Sequence, residues 1–243
     1  MRALAHTFNS MAERLQKTDA QRRTLLADVT HELRTPLTVI QGNLEGLIDG
    51  VYPVDETHLR AILDETQVLS RLIDDLRTLA LADGGALQLH KEPTDVAALA
   101  AETAASFRAQ ADAAGVALNV EAAPDVPIVA ADPARMREVL ANLIANALRY
   151  TPSGGSIRVR CFADSGSSRE RRVVVAVDDT GAGIAPDDLP HIFDRFYKSR
   201  DSGGMGLGLA IVKNLVAAHG GEVQADSQPR RGTTIRFTLP VND

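Results

Sequence analysis

Two apolar seams of helical period, separated by a short breaker, constrain this 243-residue chain more tightly than any other feature. The first runs through Leu26, Val29, Leu33, Leu37, Ile40, Leu44 and Leu47. The second takes Leu59, Ile62, Thr66, Leu69, Ile73, Leu76 and Ala80 in unbroken three-four steps. Successive helical residues turn by about 100°, so each set falls on one stripe. Asp49-Gly50-Val51-Tyr52-Pro53 breaks the first helix, and Asp83-Gly84-Gly85 stops the second. The spacing predicts a helical hairpin whose seams one copy cannot fully bury, and pairing of two hairpins into a four-helix bundle is the economical solution. Upstream, Leu4, Phe8, Met11 and Leu15, then weakly Thr18 and Arg22, lead through Leu25 and Val29 as a heptad seam running into the first helix.

The first helix carries Asp28-Val29-Thr30-His31-Glu32-Leu33-Arg34-Thr35-Pro36-Leu37. His31 lies about 200° around the axis from Val29 and Leu33, so it is expected to point outward. Glu32 follows it, and Thr35 lies on the same face one turn later. Pro36 removes a helix hydrogen bond and is expected to bend or loosen the helix there. A zinc-protease pattern would need a second histidine where Thr35 stands. A solvated helix face accounts for a lone histidine equally well, and chemistry at His31 requires a nucleotide site elsewhere in the chain.

Composition narrows the classes. A net charge of −6 argues against a nucleic-acid partner, which would want a concentrated basic surface. The single cysteine, Cys161, cannot form an internal disulfide, which fits a reducing compartment. No apolar run approaches the roughly 20 residues of a membrane span, and no signal peptide is visible; a membrane anchor upstream of Met1 stays open.

Past Gly85 the character changes. Asp95 to Ala114 reads as one Ala-rich helix and Val116 to Glu121 as a strand. Asp132-Pro133 opens a helix to about Tyr150, with Asp as N-cap and Pro in the first turn. Ile157 to Phe162 and Val173 to Asp178 read as strands, with Gly166 to Arg169 as a surface hairpin loop. Leu207 to His219 reads as a helix closed by Gly220-Gly221, and Glu222 to Ala225 with Thr233 to Leu239 as a closing hairpin. The mix points to an α+β sandwich with helices on one face of a mixed sheet.

Three clusters in this half carry chemistry. Asn142 and Asn146 lie one turn apart, with Arg149-Tyr150-Thr151 beyond. Amide oxygens can ligate Mg²⁺, and Arg149 can meet a phosphate as a planar donor. Asp178-Asp179-Thr180-Gly181-Ala182-Gly183-Ile184 ends an apolar strand. A carboxylate there can accept from the exocyclic amine of adenine, and the glycines let backbone approach a flat ring. Gly203-Gly204-Met205-Gly206-Leu207-Gly208-Leu209 precedes a helix, where consecutive N–H groups suit an anion. Its glycine spacing is not that of the dinucleotide fingerprint.

Taken together and in this order, the clusters resemble the cytoplasmic core of a two-component sensor histidine kinase. His31 to Pro36 is similar to the H box, Asn142 to Asn146 to the N box, and Asp179 to Gly183 to the first G box. Phe193 to Phe196 is similar to the F box and Gly204 to Gly208 to the second G box. The likeness covers about residues 20 to 240, and Leu4 to Leu15 also resembles the tail of a HAMP signalling module. The implied organisation is a HAMP-like tail or signalling helix over 1–20, a dimerisation and phosphotransfer domain over 21–83, a linker over 84–93 and an ATP-binding domain over 94–243. The implied fold is a helical hairpin forming a dimeric four-helix bundle, followed by an α/β sandwich of the GHKL (Bergerat) ATPase type. Because HAMP modules follow a transmembrane helix, the chain is expected to be the cytoplasmic portion of an inner-membrane sensor.

The resemblance also implies roles. His31 attacks the γ-phosphate of ATP, and Glu32 orients the imidazole and accepts its proton. Thr35 holds an attacking water for phosphatase action on the partner. Asn146 ligates Mg²⁺, with Asn142 and Tyr150 near the phosphates. Arg149 stands where the family usually has Lys, keeping the charge in another geometry. Asp179 reads adenine, Gly181 and Gly183 shape the pocket, and Gly204, Gly206 and Gly208 hinge the lid. Phe196 to Gly204 looks shorter than the usual lid, leaving Lys198 and Arg200 as candidate phosphate or acceptor contacts. The implied partners are a second copy and the receiver domain of a response regulator. A non-catalytic nucleotide-binding scaffold is the alternative. A gyrase- or chaperone-type ATPase would place a glutamate base one turn before Asn146, where Asn142 stands, and would leave His31 without a role.

Overall fold

The structure, a computed structural model, describes residues 26–164, 171–198 and 205–241. It divides into two compact units, residues 1–74 and 75–243. The tail before residue 26 and the loop at 166–169 lie outside the described residues.

In the first unit, residues 26–48 are helical (α1), and the helical run continues through the buried Pro36. The breaker then turns the chain: Asp49 and Gly50 donate back to the carbonyls of Glu45 and Leu47, with Gly50 at φ +71°. Tyr52 folds against α1 so closely that a Cβ on Gly46 would lie 2.3 Å from its ring. The same ring stacks on His58, with centroids 4.6 Å apart. Asp55 opens the next helix, α2 (Glu56–Asp83), by accepting from the His58 backbone N–H at 3.1 Å. Its carboxylate also faces His58 Nδ1 at 2.8 Å, and these bonds hold it below the usual carboxylate range.

The seams remain open in one copy. Leu26, Leu37, Leu44, Leu59 and Ile73 are all more than two-fifths exposed. On α2 the fully buried positions are Leu72 and Leu79, which lie off the sequence-predicted stripe. They are seven residues apart and form a second apolar row beside Leu69 and Leu76.

The second unit begins with the last residues of α2. Two strands too short for periodicity to reveal, β1 (Glu92–Thr94) and β3 (Val129–Ala131), pair antiparallel. Between them lie α3 (Val96–Ser106), α4 (Arg108–Ala114) and β2 (Ala117–Ala122). The single helix expected over 95–114 is thus two. The Ser106 hydroxyl bonds the Thr103 carbonyl at 2.7 Å, and the Phe107 N–H turns instead to Ala104. A side chain has displaced the backbone bond that would have continued the helix.

Then follow α5 (Pro133–Tyr150), β4 (Ser156–Asp164), β5 (Arg172–Asp179), a 3₁₀ turn at Leu189–His191, α6 (Gly208–Ala218), β6 (Val223–Gln228) and β7 (Gly232–Pro240). The main sheet has order β2-β4-β5-β7-β6, with β2 parallel to β4 and the rest antiparallel. Ile157, Val159, Val175, Val177, Phe237 and Leu239 line its inner face, against which α3, α5 and α6 pack Leu99, Val139, Leu143, Ile211 and Leu215. Cys161 is buried in this core, and desolvation pushes its thiol up to about 11.

One buried polar knot ties the connecting segment to the helices. The Asp132 carboxylate accepts from Ala134 and Arg135 N–H through Oδ1, and from His90 N–H through Oδ2 at 2.9 Å. The Asp132 N–H donates to Nε2 of buried His219, whose Nδ1 donates to the Leu215 carbonyl. Burial lowers the His219 pKa, consistent with this neutral tautomer.

Candidate functional site

On α1, His31 projects outward with 78% of its side chain exposed, while Glu32 beside it is 19% exposed. His31 Nδ1 and Glu32 Oε1 are 3.7 Å apart, just outside hydrogen-bond range. The ring therefore turns Nδ1 toward the carboxylate and leaves Nε2 on the solvent side. Thr35 is exposed one turn later, its hydroxyl 3.4 Å from the His31 carbonyl. All three expected residues share one accessible stretch of helix.

In the second unit the ends of α5, β5, β7 and α6 converge. The rows Ile157, Asp179, Thr233 and Arg158, Asp178, Thr234 run across β4, β5 and β7. Neighbours on a strand point to opposite faces, so Asp179 shares the helix-covered face with buried Ile157 while Asp178 faces out. Asp179 Oδ1 accepts from Gly181 N–H at 2.8 Å and Thr233 N–H at 3.2 Å. Its Oδ2 accepts no hydrogen bond among the described residues. Burial raises the Asp179 pKa, the two backbone donors oppose that, and the charge of Asp178 adds to it.

The glycines fit positions where no side chain has room. A Cβ on Gly181 would lie 2.5 Å from the Tyr150 carbonyl oxygen and 2.8 Å from Asp179 Oδ1. Gly183 has φ +70°, and its Cβ would lie 2.0 Å from the Gln228 carbonyl oxygen in the β6–β7 hairpin. A Cβ on Gly208, the first residue of α6, would lie 2.7 Å from Asn142 Oδ1. Asn142 is anchored from α5 by donation to the Glu138 carbonyl at 2.9 Å. Asn146 lies half-buried one turn on, and Arg149 and Tyr150 are exposed at the helix end.

The structure thus brings Asn142 against Gly208, and the Tyr150 carbonyl against the Gly181-Ala182 turn, where it accepts from Ala182 N–H at 3.2 Å. A cleft of about 320 Å³ beside Asp179 is lined by Leu189, Asp226, Ser227, Gln228, Arg231 and Thr233 among others, and Asn142 and Asn146 lie outside its wall. Gly206, at φ +70°, accepts from Phe196 N–H at 2.9 Å, and Phe196 itself adopts φ +57°. Lys198 is exposed; Gly204 and Arg200 lie outside the described residues. Thr233 and the Gln228 carbonyl are contributors that sequence reasoning missed. Thr233 comes opposite Asp179 through the β5–β7 register, for which the sequence carries no local signal.

Residues 21–85 match the family model described as His Kinase A (phospho-acceptor) domain. Residues 131–243 match that of the histidine kinase-, DNA gyrase B- and HSP90-like ATPase. A solved chain of the histidine kinase AdeS of Acinetobacter baumannii superposes with a TM-score of 0.73 at 33% identity, covering 88% of this chain and 98% of that solved chain. The chain belongs to the sensor histidine kinase family.

Within that family it is 38% identical over 243 residues to the signal transduction histidine-protein kinase BaeS of Escherichia coli K12, covering 98% of this chain and 51% of BaeS. Full-length ShkA, solved in complex with AMPPNP, gives a TM-score of 0.69 at 28% identity over 90% of this chain and 46% of ShkA. The chain spans about half or less of the length of the curated relatives it matches. Among its described residues, no helix is long and apolar enough to cross a membrane.

Proposed function

We propose that this chain takes the γ-phosphoryl group of ATP onto His31 and passes it to an aspartate on the receiver domain of a response regulator. The observation that carries the reading is Asp179. It is a part-buried carboxylate with one oxygen fixed by two backbone donors and the other open to accept an amine proton, as adenine would offer. The ShkA complex with AMPPNP supports an adenine nucleotide at the equivalent fold.

His31 Nε2 then forms the new P–N bond as the bond from the γ-phosphorus to the bridging oxygen breaks, leaving ADP. Glu32, on the Nδ1 side, takes up the developing positive charge and the Nδ1 proton. The 3.7 Å spacing must tighten for that, an adjustment of a kind common between apo and substrate-bound sites. Asn146 presents an amide oxygen suited to Mg²⁺, which takes oxygen ligands together with phosphates and water. When bound, the ion neutralises phosphate charge. Asn142, Arg149 and Tyr150 position the phosphates from the same helix. Gly204, Gly206 and Gly208 lend the lid its freedom, and Lys198 offers it a charge. Thr35, exposed one turn from His31, holds water for dephosphorylation of the regulator. The open seam of Leu26, Leu37, Leu44, Leu59 and Ile73 is buried by a second copy, giving a homodimer. In the whole protein, segments upstream of this chain anchor it to the membrane.

Incubation with γ-labelled ATP and Mg²⁺ tests this. Wild type acquires acid-labile, base-stable label, and His31→Gln acquires none. Absence of label on wild type, or equal label on His31→Gln, refutes it. Loss of regulator dephosphorylation in Thr35→Ala with labelling intact tests the second activity.

A further inference from the structure

Asp178 and Asp179 are consecutive carboxylates that the strand sends to opposite faces, and each has its own partners. On the outer face Arg160 grips Asp178 through two bonds, Nε to Oδ2 at 2.6 Å and Nη2 to Oδ1 at 2.9 Å. Thr234 donates a third, to Oδ1 at 2.7 Å. The guanidinium also lies 6.0 Å over the Phe162 ring. Arg158 stands directly across the ladder from Asp178, but it is engaged by Glu121 at 3.1 Å. Arg160 is therefore the counter-ion of Asp178.

We infer that Arg160 is a positioning residue for adenine recognition, pairing off the charge of Asp178 so that Asp179 faces the nucleotide as an ionised acceptor. The inference rests on the nucleotide reading of Asp179 given above. Burial by itself raises the Asp178 pKa, but its bonds to Arg160 and Thr234 and the charges of Arg160 and Arg158 outweigh this and leave it lowered. Without Arg160 the negative charge one residue from Asp179 keeps only the Thr234 bond and the charge of Arg158 against it, and burial and Asp178 already push Asp179 toward the protonated form. The other charges lining the cleft beside Asp179 are Asp226 and Arg231 on the β6–β7 hairpin, and both remain in every variant below.

The test is calorimetric titration of the full chain with ADP and Mg²⁺ at pH 7.5 and 5.5, each variant compared with wild type at the same pH. Arg160→Met is expected to bind within about twofold of wild type at pH 7.5 and roughly three- to tenfold more weakly at pH 5.5, the effect of one nearby charge. Arg160→Met/Asp178→Asn, which removes both charges, is expected to recover wild-type affinity at pH 5.5. If Arg160→Met matches wild type at both pH values, the inference falls. If the double variant binds as weakly as Arg160→Met, or both lose affinity equally at the two pH values, Arg160 is only structural and the inference again falls. Asp179→Asn separates this from the parent reading: unchanged ADP binding in that variant brings down the nucleotide assignment itself.

Discussion

Asp132→Ala removes three hydrogen bonds at one stroke, and the structure allows the cost to be worked out. Two of them, from Ala134 and Arg135 N–H, are the N-cap of α5, whose loss costs about 0.5–2 kcal/mol. The third leaves the His90 N–H without its acceptor, about 1–3 kcal/mol more if no water reaches it. A total of about 1.5–5 kcal/mol corresponds to a fall of roughly 3–20 °C in the melting transition for a unit of this size. The bonds hold the Asp132 carboxylate below its ordinary range despite the opposing effect of burial. Its folded pKa lies under the unfolded value of about 3.9, so its contribution is complete above that value and fades as pH falls through the folded pKa. Scanning calorimetry is expected to show the deficit undiminished between pH 6 and 8. Hydrogen exchange is expected to speed up at Ala134 and Arg135 but not around Asn142, about two turns away. A melting transition within about 1 °C of wild type, or exchange unchanged at Ala134 and Arg135, refutes the reasoning.

Gly183→Ala forces a side chain into a left-handed backbone, about 1–2 kcal/mol, and against the Gln228 carbonyl; ADP binding is expected to drop at least tenfold by calorimetric titration. Gly208→Ala pushes on Asn142 Oδ1 and is expected to weaken nucleotide binding several-fold while the melting transition moves little. Leu37→Glu/Leu44→Glu charges the exposed seam of α1, and sedimentation is expected to show a dimer for wild type and a monomer for the variant. Cys161, buried and with its thiol raised to about 11, is expected to resist a maleimide under native conditions and to react fully in denaturant.

Where a local chemical signal exists, the sequence and the structure agree closely. Asp132-Pro133 marks the start of α5 because N-cap geometry and the fixed φ of proline are properties of those two residues alone. The apolar runs of β4 and β5 appear as expected because the sheet buries one continuous face. The break at Phe107 was hidden because it depends on which of two donors reaches the Thr103 carbonyl. Periodicity in an Ala-rich segment does not register that competition. On α2 the seam leucines and the buried pair Leu72 and Leu79 both repeat at helical spacing, so a pattern reading picks one stripe and misses its neighbour.

The site was legible as residue types and hidden as pairings. That Asp179 needs Gly181 beside it follows from sequence proximity; that Thr233, 54 residues away, supplies the second donor follows only from strand register. The same applies to the two carboxylates. In the sequence Asp178-Asp179 is one acidic dipeptide, and nothing local says which carboxylate faces the cleft. Alternation along β5 separates them, and Arg160 and Thr234 then give the outward one three hydrogen bonds. A motif read as a single cluster is thus two sites with opposite electrostatics, an ion pair on one face of the sheet and an open acceptor on the other. The residues that keep them apart lie on the flanking strands, where no motif would place them.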